Sequence, residues 1–223
     1  MIEYKGVKIP STLEELVDPK HTVLLVIDPQ KDISGEMRPE TMYPKMAENL
    51  VPLVEVARKA GVRIIYTQVL VSPHTRAAAN WYMIMKIRNE KDPGKIKDFV
   101  VEGTDGAEFV DQLKPKPEDL VIKKYRNSAF LGTPLDLVLR RYGINTIVVT
   151  GCQTDGCVES TVRDATYSLD YFVVLVEDCL ASFSRENHDA MMKVMRSRHD
   201  VVNSKLLAHV WSGKTRGTDL ITG

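Results

Sequence analysis

Two of the three cysteines in this 223-residue chain stand five positions apart, in the stretch "IVVTGCQTDGCVESTVRDA" (147–165), where an apolar run gives way to a helical pattern. Cys157 falls in the first turn of the expected helix "CVESTVRDATYSL", with Thr154 or Asp155 as its expected N-cap. Unpaired backbone N–H groups at such a turn lower a thiol's pKa and can receive the oxyanion formed when a thiolate attacks a carbonyl. A small buried residue packing the helix start is the equal alternative. Cys152 lies inside the tight "TGCQT" turn and Cys179 follows the last long strand, and both read as small buried residues. A thiol nucleophile needs a base, and no histidine stands at a strand end. Asp28, ending "TVLLVID", is the natural proton acceptor, although an Asp there often only caps the following turn. Lys124, ending "DLVIKK", is either a solvated lysine or an ammonium that depresses the thiol pKa and polarises a substrate. Each signal is weak by itself. Together they describe a Cys–Asp–Lys site for acyl or carbamoyl transfer to water.

These residues must be positioned by strands. Nearly continuous apolar, β-branched runs at 22–28, 62–71, 119–124, 145–151 and 171–178, with a short sixth at 200–204, read as strands covered on both faces. Helical patterns at 43–60, 132–142, 156–169 and 184–198 alternate with them, and Gly61 and Gly143 stop two of these helices. The expected fold is α/β: a three-layer arrangement with a central, mostly parallel sheet of about six strands and helices on both faces. One domain spans 1–223, with a partly helical insertion and loop at 72–118 and a polar tail at 209–223. Ligands of open α/β sheets bind beyond the carboxyl ends of the strands. Asp28, Lys124 and the 151–157 turn all fall there.

Composition narrows the partners. Lys+Arg and Asp+Glu both number 30, so no bulk field favours nucleic acid or an anionic membrane. No apolar run approaches a membrane span, and the N-terminus lacks a signal-peptide core, which leads to an expectation of the cytoplasm. An odd number of cysteines fits a reducing compartment. "WSGKT" (211–215) imitates the end of a phosphate-binding loop, but Ala208 stands where the motif needs glycine. No G-x-G-x-x-G follows a strand, so no dinucleotide fingerprint is present; the five histidines are scattered and the cysteines lack C-x-x-C spacing, so a bound zinc is not expected.

The segments "VLLVIDPQKD", "KKYRNSAFLGTPLDLVLRRYGINTIVVTG" and "TDGCVESTVRDA" resemble the isochorismatase-like cysteine hydrolase family across roughly residues 20–205. Within it, the "SAF", "GT", "L" stretch is most similar to N-carbamoylsarcosine amidohydrolases and related carbamoyl- or ureido-cleaving amidases. The resemblance implies a Rossmann-like sheet and a catalytic triad of Asp28, Lys124 and Cys157. It also implies a cis peptide between Cys152 and Gln153, and an oxyanion hole formed by the backbone N–H groups of Gln153 and Cys157. The implied activity is hydrolysis of a C–N bond in a small amide or ureide through a thioester or thiocarbamate, without a cofactor. Family members are commonly dimers or tetramers, so a homodimer or homotetramer is expected. A catalytically silent oligomeric binding module, or an amidase of maleamate or nicotinamide, is the alternative.

The chain also departs from its family. Nicotinamidases carry an Asp-x-His metal pair after the second strand, where this chain has Val69 and Val71. An aromatic that often follows the first motif is replaced by Ile33, and Gln153 could hydrogen-bond a ureido group if it pointed inward. Isochorismate-cleaving members lack the cysteine, so Cys157 argues against vinyl-ether hydrolysis. For substrate binding the candidates are Trp81, Arg126, Thr154, Arg76 and His74. Trp81 could equally belong to the insertion's core, and Arg126 to a surface or intersubunit ion pair.

Overall fold

The computed structural model describes residues 1–34, 40–72, 74–214 and 217–218. A short hairpin of β1 (Ile2–Tyr4) and β2 (Val7–Ile9) leads into α1 (Leu13–Leu16), capped by the Thr12 hydroxyl. The sheet begins with β3 (Thr22–Ile27), whose six residues are all buried, as its continuous apolar run requires. After α2 (Lys31–Ser34) and α3 (Tyr43–Lys59), β4 (Arg63–Val69) pairs parallel to β3. The insertion then contributes α4 (Ala78–Arg88), and the chain returns through β5 (Leu120–Lys124), α5 (Leu135–Arg141) and β6 (Thr146–Cys152). Next come α6 (Glu159–Arg163), β7 (Phe172–Ala181), α7 (Arg185–Arg196), β8 (Asp200–Val202) and α8 (Ser204–Trp211).

All six strands of the main sheet run parallel in the order β5-β4-β3-β6-β7-β8. The chain winds outward from β3 through β4 to β5, then crosses back to lay β6 beside β3 and winds the other way. The crevice at that reversal, between the carboxyl ends of β3 and β6, is where such sheets hold ligands.

The sheet's period of two divides the core. Leu24, Val26, Ile64, Tyr66, Val148 and Val174 face one layer with α3 and α8, while Val23, Leu25, Ile27, Ile65, Val149 and Leu175 face the other with α5, α6 and α7. Helix α3 presents Met46, Leu50, Leu53, Val54 and Ala57 on one face at helical spacing. Burying each of its leucines is worth about 1.5–3 kcal/mol.

Several boundaries differ from expectation. The helix expected at 132–142 begins only at Leu135, after Pro134, whose fixed φ suits a helix entry. The helix expected at 156–169 is a short α-helical centre, 159–163, between two wide π-type turns at 154–158 and 164–168. Neither Thr154 nor Asp155 caps it, because both side chains are engaged with the β7–α7 connection. The polar tail expected from 209 starts inside α8, where Leu207 and Trp211 are buried and the indole N–H donates to the Val17 carbonyl at 3.0 Å. Residues 215–216 and 219–223 of that expected tail lie outside the described residues.

Candidate active site

Asp28 directly follows β3, on the strand-end side of the reversal crevice. Its φ of 49° is left-handed, which costs about 1–2 kcal/mol for a residue with a Cβ and which Asp tolerates better than most. The carboxylate is fully buried and receives the Thr67 hydroxyl on Oδ1 at 2.6 Å. Thr67 sits one strand over, where β4 pairs Thr67 with Ile27.

Lys124 ends β5, two strands away, and its side chain is as fully buried as that of Asp28. Its Nζ lies 2.7 Å from Asp28 Oδ2 and 3.2 Å from Cys157 Sγ. It also donates to the carbonyls of Arg126 and Asn127 at 3.0 and 2.9 Å. Burial works to deprotonate the amine, but the neighbouring Asp28 and Cys157 outweigh it and raise its pKa. The lysine is therefore held as an ammonium. Asp28 Oδ2 is the oxygen that pairs with this ammonium, while Oδ1 holds the Thr67 hydroxyl.

Cys157 is buried at the foot of this cluster. Burial pushes its thiol up to about 12, with Lys124 pulling down and Asp28 pushing up. The expected depression of the thiol pKa is thus overturned: desolvation outweighs the ammonium. At neutral pH the sulfur is a thiol beside a carboxylate and needs a proton acceptor to become a nucleophile. Cys152 is also buried and pushed well above its ordinary range; its thiol donates to the Asp28 carbonyl at 3.6 Å.

The turn between the two cysteines is braced on all sides. The peptide from Cys152 to Gln153 is cis. The Gln153 side chain donates to the Tyr43 hydroxyl at 2.6 Å and accepts from the Phe183 N–H at 2.8 Å, so both its polar atoms serve the scaffold rather than a ligand. Thr154 donates to the Ala181 carbonyl at 3.1 Å, which leaves its oxygen to accept from His188 Nδ1 at 2.9 Å. Asp155 accepts from Ser182 and, at 3.1 Å, from Asn187. Thr161 donates to the Cys157 carbonyl at 2.6 Å and accepts from the Ala129 N–H at 3.0 Å, tying the nucleophile's turn to the "SAF" segment. Gly151 has a φ of 102°, and a Cβ there would run into the Ile27 backbone, so only glycine lets β6 approach β3 this closely.

The insertion is pinned to the same edge. Buried Gln30 donates to the Val69 and Ala107 carbonyls at 2.9 and 2.8 Å and accepts from the Val69 N–H at 2.9 Å. Asp32 accepts from the Val100 N–H at 2.7 Å. A cleft of about 410 Å³ opens beside Asp32, lined further by Arg88, Glu90, Lys95, Lys97 and Phe99. A second hollow of about 420 Å³, at the start of β4 and β5, lies at the opposite end of the sheet from Cys157.

Of the residues singled out in the sequence, Asp28, Lys124, Cys157 and the Cys152–Gln153 peptide come together. Of the substrate-binding candidates, four lie on or against the insertion and Thr154 does not. Thr154 is buried in the scaffold, His74 is exposed, and Arg126 is exposed with its guanidinium on the Thr75 and Tyr125 carbonyls. Arg76 stacks over Trp81 at 4.3 Å and pairs with Asp98 at 3.0 Å. Thr67, Gln30, Thr161 and His188 had no assignment from the sequence. The signals for the first two were a hydroxyl and an amide standing where apolar runs end. Among the described residues no group of three or more His, Cys, Asp or Glu could hold a metal, and no helix is long and apolar enough to cross a membrane.

Comparison with known proteins adds a family frame. A model of the isochorismatase domain matches residues 22–205. The ureidoacrylate amidohydrolase RutB of Caulobacter segnis is 33% identical over 193 residues, covering 77% of each chain. The N-carbamoylsarcosine amidase of Thermoplasma acidophilum superposes with a TM-score of 0.65 at 27% identity, covering 82% of this chain and 96% of that one. A cysteine hydrolase from Pseudomonas syringae pv. phaseolicola superposes at 0.75 over 94% of this chain and 100% of that one, and at 20% identity it attests the fold alone.

Proposed function

Because the chain belongs to the isochorismatase-domain family, we propose that it is a cysteine-dependent amidohydrolase that cleaves a C–N bond in a small carbamoyl or ureido compound or amide. The observation that carries this reading is the buried ammonium of Lys124 between Asp28 Oδ2 and Cys157 Sγ, at 2.7 and 3.2 Å. The names of similar proteins, a ureidoacrylate amidohydrolase and an N-carbamoylsarcosine amidase, support the substrate class.

In the proposed cycle Asp28 takes the thiol proton as Cys157 Sγ bonds to the carbonyl carbon, and the ammonium of Lys124 stabilises the charge that moves onto sulfur. The backbone N–H groups of Gln153 and Cys157 hold the oxyanion. Asp28 returns its proton to the leaving nitrogen as the C–N bond breaks, releasing ammonia or an amine. A water deprotonated by Asp28 then hydrolyses the thioester or thiocarbamate and regenerates the thiol. A resting thiol at about 12 makes this transfer part of the reaction rather than a preliminary to it. The cycle needs no metal.

The test is ammonia release from N-carbamoylsarcosine, ureidoacrylate, biuret, maleamate and nicotinamide. The proposal expects a carbamoyl or ureido member of this panel to be turned over. Turnover of none of the five would overturn the substrate class.

A further inference from the structure

Asp28 has two oxygens, and the cycle above requires one of them to pick up and return a proton while the carboxylate stays in register. Resting on that reading of Asp28, we infer that the Thr67 hydroxyl is a positioning residue for the base: it saturates Oδ1 and leaves Oδ2 as the oxygen that exchanges a proton with Cys157.

The direction of the hydroxyl proton is settled by its surroundings. The Asp28 N–H points at Thr67 Oγ1 at 3.2 Å, so that oxygen accepts from the backbone. Its own proton goes to Oδ1, 2.6 Å away. Both residues are fully buried, so no bulk water substitutes for this bond. Oδ2 is ion-paired with the ammonium that also contacts Cys157 Sγ. The two carboxylate oxygens are thus chemically distinct: one holds the Thr67 hydroxyl, and the other faces the ammonium that touches the thiol.

The parallel register accounts for the placement. Thr67 pairs with Ile27, and Asp28 is the next residue along β3, so the Thr67 hydroxyl stands beside the carboxylate as the strand ends. A β-branched residue holds its hydroxyl in few rotamers, which suits it to this task. Hydrogen bonding to the charged form of a carboxylate favours that form, and removing one partner of a buried bond leaves the other unsatisfied. Without the hydroxyl, Oδ1 competes with Oδ2 for the thiol proton.

The experiment is the rate of Cys157 alkylation by iodoacetamide across pH, read by peptide mass spectrometry, which needs no substrate. In the wild type the rate falls at acid pH. Thr67→Val keeps the shape and removes the hydroxyl, and it should move this acid limb to higher pH by about one unit. Thr67→Ser should return it toward the wild-type position. Thr67→Ala provides the same deletion should the valine variant not fold. If the valine and alanine variants keep the wild-type limb while Asp28→Asn loses it, the inference is wrong and the reading of Asp28 stands. If Asp28→Asn itself keeps the limb, Asp28 is not the base and the inference falls with it.

Discussion

At the scale of single residues, the site works by opposing two strong effects on one sulfur. Burial raises the Cys157 thiol, Lys124 lowers it, and burial prevails. From the sequence, the helix start and the lysine pointed to an activated thiolate; the depth at which the fold places the sulfur could not be read from spacing. Asp28 and Lys124 were legible because each ends an apolar run, so a charge there had to face a site or solvent. Thr67 was not, since a threonine in a strand is ordinary until its neighbour across the sheet is known. A titration follows. The thiolate absorbance difference between wild type and Cys157→Ala should show no ionisation step below pH 9.0, the thiol's ordinary value, because the folded thiol ionises toward about 12. A step near neutral pH would mean that the ammonium prevails over burial.

At the scale of elements, the decisive feature is the end of β6. Its approach to β3 depends on Gly151, and the turn beyond it is held by Ala181, Ser182, Phe183, His188 and Asn187 from the end of β7 and the start of α7. The sequence showed the strand and the helix on either side through their periods. It could not show the π-type opening of 154–158, because Thr154 and Asp155 look like helix caps until β7 lies alongside and draws their side chains away. Helix α8 is not legible in the sequence for a similar reason: its apolar face becomes meaningful only against α1 and α3. Gly151→Ala brings a Cβ onto the Ile27 backbone and a left-handed φ onto a residue that resists it. We expect a loss of more than about 2 kcal/mol of stability in urea unfolding, and a fall in ammonia release beyond the loss of folded protein. Wild-type stability in this variant would show that β6 can withdraw from β3 at little cost.

At the scale of the whole molecule, the six parallel strands were readable as apolar runs, whereas their order was not: only the reversal between β3 and β6 brings Asp28 and Cys157 to one crevice, with Lys124 reaching in from β5. Burying so many ionisable groups shapes stability against pH. Cys157 and Tyr66 are each pushed up to about 12, and Cys152 and Cys179 are raised by burial as well. Above pH 9.0, the ordinary thiol value, the unfolded chain gives up protons that the fold retains, so the unfolded state binds fewer protons and stability falls as pH rises toward 12. His188 and His199 are lowered by burial, so below their ordinary 6.5 the unfolded chain takes up protons that the fold resists and stability falls again. Urea midpoints should therefore be highest between these values and decline on both sides. A midpoint that rises above pH 9 would contradict this assignment of buried groups. The central claim, a Cys157 nucleophile in a C–N hydrolase, is tested most directly by ammonia release from the carbamoyl and ureido panel with Cys157→Ala beside the wild type. The account predicts release by the wild type and a loss on the order of a thousandfold or more in a variant that still folds. Release by Cys157→Ala at the wild-type rate would contradict it.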